Sequence, residues 1–106
     1  MIIEQLESEI AVDDMRSIAI NLREKVKSGV VVLSTISAGK PLLVAAVSSE
    51  AIKLGIKAGE LIKIGSATLG GGGGGKDDFA QGGGVDPSAI PKAFKEITKL
   101  IEGKFN

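Results

Sequence analysis

VVVLSTISAGKPLLVAAV, residues 30–47, holds two apolar runs separated by a short polar break. Val30–Ile36 is rich in β-branched residues, with Ser34 and Thr35 as its only polar members, and Leu42–Val47 is a second run of the same kind. Ser37-Ala38-Gly39-Lys40 between them reads as a hairpin loop, with glycine where positive φ is available. Pro41 opens the second strand, where a missing N–H donor matters little. Strands that are apolar on both faces need cover on both faces. The stretch therefore predicts an α/β (α+β) layer fold: a small sheet with a central hairpin, covered by helices.

The flanking sequence supplies the cover. Ile2–Leu6 reads as a first strand. Asp13 or Asp14 caps a helix over Asp14–Ser28, in which Met15, Ile18, Ala19, Leu22 and Val26 recur at helical spacing. Gly29 ends it, with Lys25 and Lys27 near its negative end. After the hairpin, Ser48 or Ser49 caps a helical stretch that Gly55 breaks. A further helix over Lys57–Leu69 turns Ala58, Leu61, Ile62, Gly65 and Leu69 inward. A glycine-rich loop, Gly70–Gly84, follows. Asp86-Pro87 opens a turn over Pro87–Ile90, and a final helix runs from Pro91 to about Glu102, its inner stripe Ala93 or Phe94, Ile97 and Ile101, with Gly103 as its stop.

The 106 residues suit one domain, residues 1–106, with no apolar run long enough to span a bilayer and no signal-peptide pattern at the start. Cysteine and histidine are absent, which excludes thiolate chemistry, disulfides, imidazole-dependent triads and Cys/His zinc sites. No cofactor or metal is expected. Phe79, Phe94 and Phe105 are the only aromatics, too few for a platform that stacks several bases. Net charge is zero but unevenly spread. Five acids and no base occupy residues 1–14, whereas residues 15–69 hold eight bases and three acids. The basic middle leaves room for a local phosphate-binding face; chance clustering on a solvated surface is the blander reading.

Nine of the fifteen glycines fall in GGGGGGKDDFAQGGG, residues 70–84. A flexible linker is the simplest explanation, but the segment lacks Ser and Thr and leads into a helix that the core needs. Gly70-x4-Gly75-Lys76 matches the first part of a Walker A loop. The match fails at Asp77, which stands where a magnesium-binding Ser or Thr is required, and a helix rather than a strand precedes it. The third reading is a concavity of glycine N–H groups, an anion-binding nest, with Lys76 adding charge and Gln81 a donor and an acceptor. That set suits a phosphate–sugar backbone or a base edge.

The segment closely resembles the glycine motif of the C-terminal domain of alanyl-tRNA synthetase, called C-Ala. Lys76, Asp78, Ala80, Gln81, Gly83 and Gly84 stand in matching places. The preceding helix, the SGVVVL strand, the hairpin and KLGIKAGELIK follow the same order, so the resemblance covers the whole chain. Lys76 for arginine, Asp77 for proline and Phe79 for methionine are departures. The accessory domain of DHH phosphoesterases is similar, but there a histidine follows the glycines. The resemblance implies a non-catalytic module, a fragment of a cytoplasmic ligase, with Met1 a cloning start. It implies contact with the elbow of alanine-specific tRNA and a part in coupling aminoacylation to editing. Other domains of the same synthetase and a second copy of the chain are the further partners, with no membrane. A dimerisation module, or a nucleic-acid-binding accessory domain of the DHH type, is the alternative.

The candidate RNA-contacting residues are Gly72, Gly73, Gly74, Gly75, Lys76, Gln81 and Gly83, joined by Lys40 at the hairpin tip and by Arg16 and Arg23 on one helical stripe. Ile20 lies among the two arginines and is unusual for a solvated face. For Lys76 the competing reading is a solvated lysine offsetting its neighbouring aspartates. For Gln81 it is a loop-stabilising hydrogen bond.

Overall fold

The computed structural model describes residues 1–105. Its centre is the expected hairpin. β2 (Val30–Ser37) pairs antiparallel with β3 (Lys40–Val47), in a register that sets Val30 against Val47 and Ser37 against Lys40. Ala38 and Gly39 form the turn, both with positive φ (51° and 78°). β1 (Ile2–Gln5) adds parallel to β2 after a crossover through α1 (Val12–Lys25). On the other side β3 pairs with β5 (Phe79–Gly83), which pairs with β4 (Gly72–Gly75) at the edge. The sheet order is β1-β2-β3-β5-β4.

Alternation along the central strands sorts the core into two layers. Val31, Leu33, Val44 and Ala46 face α1 and bury Met15 and Ala19. Val30, Val32, Leu43, Ala45 and Val47 face the opposite way, against α3 (Ala58–Thr68) and α4 (Ile90–Phe105), and bury Ile56, Leu61, Ile62, Ile97 and Ile101. The two buried polar residues of β2 are satisfied internally: Ser34 donates to Leu42 C=O at 2.7 Å and Thr35 to Ser8 C=O at 2.6 Å. The short α2 (Ser49–Lys53) is capped by Ser48, whose hydroxyl accepts from Ala51 N–H. All five residues expected to point inward from α3 are buried, as are Ala93, Ile97 and Ile101 of α4.

Both ends of α1 and of α4 differ from expectation. α1 begins at Val12 with Ala11 as N-cap, so Asp13 and Asp14 lie in its first turn, beside the positive end of the helix dipole, rather than capping it. It ends at Lys25 because Val26 is already extended. α4 begins at Ile90, which places Pro91 in the first turn where its missing N–H costs nothing, and it runs on through Gly103. The largest difference lies in the glycine segment. It is not a loop but a β-hairpin, β4 and β5, closed by a turn at residues 76–78.

Candidate nucleic-acid interface

The glycine hairpin is tied at both ends by backbone hydrogen bonds. α3 closes in a Schellman motif: Gly70, at φ 81°, gives its N–H to Ala67 C=O, and Gly71 gives its own to Ser66 C=O. Leu69 C=O, otherwise an orphan of the helix end, accepts from both Val85 and Asp86. At the far end, Lys76 N–H donates to Phe79 C=O at 2.9 Å and closes the turn. The start of α3 has no side-chain cap. Instead Ala58 and Gly59 donate to the carbonyls of Asp77 and Lys76, at 2.8 and 3.1 Å. Val47 N–H donates to Asp78 C=O, as does Arg23 Nη1 from α1. The turn thus joins α1, β3 and α3.

The expected nest of convergent N–H groups is not formed. Gly72–Gly75 are extended, so successive N–H groups alternate direction within the sheet plane. The Lys76–Phe79 bond sets the alternation: Gly74 and Gly72 face Gln81 and Gly83 across the ladder, and Gly73 turns its N–H and C=O to the free edge.

α1 packs mainly on β2 and β3 and reaches β5 at Phe79. The helix therefore makes a wall, the strands β4 and β5 a floor, and the 76–78 turn one end of an open concavity of about 380 Å³. Arg16, Ile20 and Arg23 line it from the wall; Gly74, Gly75, Phe79 and Gln81 line it from the floor, and Lys76 and Asp78 from the turn. The Arg16 guanidinium carbon sits 4.9 Å from the Phe79 ring centroid, a cation–π contact that holds the charge over the floor. Among the described residues the ion pairs are Arg23–Glu24 and Glu50–Lys53, so neither Arg16 nor Lys76 is neutralised by a carboxylate. Arg23 differs. It is 16% exposed, paired with Glu24 at 3.3 Å, and holds the turn through Asp78 C=O. Its neighbour concavity, about 510 Å³, shares Arg23 and Asp78 and is lined further by Ser48, Ser49, Ile52 and Asp77.

Arg16, Arg23, Gly74, Gly75, Lys76 and Gln81 are thus brought together, with Ile20. Gly72 and Gly83, paired across the ladder, share the face of Gly74 and Gln81. Gly73 lies on the opposite face, toward Ile62 of α3. Lys40 stands apart: it begins β3 at the hairpin tip, whereas Phe79 pairs with Ala46, about 20 Å of strand away. Phe79 was absent from the sequence-based site; its place as the only aromatic beside the glycines was the available signal.

The family model described as DHHA1 domain matches residues 1–103. The alanine–tRNA ligase of Herpetosiphon aurantiacus is 44% identical over 101 residues, 95% of this chain and 11% of the ligase. That of Acidothermus cellulolyticus is 49% identical over 93 residues, 87% of this chain and 10% of the ligase. The chain therefore spans about a tenth of the length of these curated relatives. The crystal structure of the C-Ala domain from Aquifex aeolicus alanyl-tRNA synthetase superposes with a TM-score of 0.85 at 33% identity, covering 94% of this chain and 88% of that one.

Proposed function

We propose that this chain, which belongs to the DHHA1 domain family and has the fold of a synthetase C-Ala domain, is the tRNA-contacting, non-catalytic module of an alanine–tRNA ligase. One observation supports this most: two un-neutralised cations, Arg16 and Lys76, share a concavity with Gln81 and a strand floor bare at its glycines. The cations suit phosphates, the amide suits a base or ribose edge, and the bare floor admits close approach. Its natural target is the elbow of folded, alanine-specific tRNA, held so that aminoacylation and editing domains act on one molecule. A cytoplasmic setting follows from that role.

Filter-binding titration of a tRNA transcript tests the reading. Two neutralised phosphates give a log–log salt slope of about −2, and Lys76→Ala weakens binding and reduces that slope by about 1. A folded tRNA binds better than single-stranded RNA of equal length; equal affinities count against elbow recognition. A dimerisation role has one observation in its favour, the unpaired edge of β4. Sedimentation of a stable dimer that gives no gel shift with tRNA would favour it.

A further inference from the structure

The glycines of the hairpin divide by steric need. A Cβ on Gly71, Gly73, Gly75, Gly82, Gly83 or Gly84 comes within 3.0 Å of another heavy atom. At Gly72 and Gly74 a Cβ meets nothing within 4 Å. Both are extended without positive φ, so the backbone accepts a Cβ there, and a β-forming residue suits the strand better. Gly74 keeps the concavity floor bare where packing does not require it, and Gly72 continues the same bare strand face beyond it.

A bare strand face has a definite chemistry. The N–H and C=O groups of Gly72 and Gly74 point sideways into the ladder, not up from the face. The face offers no donor to a phosphate; it offers flat peptide planes. Strand spacing and the two-residue repeat give a patch of roughly 5 by 7 Å between Gly72, Gly74 and the paired Gly83. That is about the footprint of a heterocyclic ring. Gln81, opposite Gly74, places an amide at its border, and the charges of Lys76 and Arg16 lie beside it rather than beneath it.

We propose that this face seats one unpaired nucleobase, flat on the glycine peptide planes, with Gln81 at its edge and the flanking phosphates at Lys76 and Arg16. The proposal rests on the RNA-binding reading above and assigns Gly72 and Gly74 as the residues that fix how closely the ring approaches. A methyl or isopropyl group at position 74 would stand directly under the ring and lift it out of contact, where dispersion falls steeply with distance.

The test compares an RNA hairpin bearing exposed loop adenines with the same hairpin carrying abasic loop positions. Both are titrated against the wild-type chain, Gly74→Val, Gly72→Ala and Lys76→Ala at one salt concentration, with melting curves to confirm folding. The base-bearing hairpin is expected to bind about 5-fold tighter than the abasic one, the low end of what a base stacked on an aromatic side chain contributes, because peptide planes offer a smaller π surface. Gly74→Val and Gly72→Ala remove that advantage, so that the ratio of the two affinities falls to about one. Equal binding of the two hairpins, or a Gly74→Val protein that still prefers the base-bearing one, overturns the stacked base. In either case the RNA reading stands if Lys76→Ala weakens both hairpins. If neither hairpin nor a tRNA transcript binds, the RNA reading itself fails.

Discussion

Gly73 and Gly74 are adjacent residues of the same edge strand, both exposed, yet alanine should act on them with opposite signs. At Gly74 the added Cβ has nothing within 4 Å. The folded state is indifferent to it, and the unfolded chain loses conformational freedom, so stability rises by about 0.4–1 kcal/mol. For a domain of this size that lifts Tm by roughly 2–6 °C. At Gly73 the same atom would come 2.6 Å from Gln81 C=O and 3.0 Å from Ile62 Cγ2, besides colliding with the Gly82 backbone. Backbone atoms of a paired strand cannot rotate away as a side-chain tip can. Either β4 separates from β5, or α3 moves off the sheet. Overpacking of this kind costs about 1–3 kcal/mol, a fall in Tm of roughly 5–20 °C.

Thermal melting followed by far-UV circular dichroism measures both variants in one buffer. Because the sites are neighbours, differences in intrinsic strand preference and solvent exposure cancel, and only the face of the strand distinguishes them. Shifts of the same sign would refute the placement of Gly73 toward α3 and Gly74 toward open space. A stabilised Gly74→Ala that binds RNA less well would separate the two requirements on the segment in a single protein.

Three further outcomes follow from side chains away from the floor. Ala38 holds φ 51° beside Gly39 in the β2–β3 turn, so Ala38→Asn, a residue that tolerates this region, should raise stability by about 0.5–1 kcal/mol in urea titration. Ser66 Oγ is buried without a hydrogen-bond partner, and Ser66→Ala should leave the urea midpoint unchanged or raise stability by about 1 kcal/mol, because it removes a desolvated hydroxyl and breaks no bond. Glu9 accepts from Ser37 and from Ala38 N–H, the latter at 3.0 Å, and these bonds hold its carboxyl below the ordinary value of 4.5. The folded state therefore prefers the ionised form; its advantage over Glu9→Gln is full above pH 4.5 and lost as the pH falls through the lower folded value, visible as converging urea midpoints.

The elements that announce themselves through side chains are legible in the sequence. The β2–β3 hairpin, both faces of its apolar strands, and the inner stripes of α3 and α4 follow from period and composition, and the structure buries the expected residues. The glycine strands are illegible for a physical reason: glycine carries no side chain, so neither alternation nor β-propensity can register. What makes Gly72–Gly75 a strand is non-local, namely the ladder to β5 and the approach of α3 at Ile62. Helix ends fail similarly. Asp13 and Asp14 are good caps by type, but Val12 is already helical, and Gly103 does not stop a helix whose preceding turns bury Ile97 and Ile101. At the site, the side chains Arg16, Lys76 and Gln81 are readable as candidates. The exclusion of Lys40 depends on strand register, which places the hairpin tip and the 76–78 turn at opposite ends of β3.

Asp77 and Asp78, the least expected residues beside a lysine proposed to meet phosphate, act here through their main chains. Asp77 C=O caps α3 at Ala58, and Asp78 C=O takes Val47 N–H and the Arg23 guanidinium. The carbonyl of Lys76 itself caps Gly59. A six-glycine run costs several kcal/mol to order, and these bonds, with the Schellman closure at Gly70–Gly71, are what offset that cost. The consequence reaches the site. The Lys76 backbone is fixed before any ligand arrives, and Arg16 is already set over Phe79. Ordering entropy that a flexible glycine linker would lose on binding is here lost on folding, and preorganisation of this kind leaves more of the contact energy available as affinity.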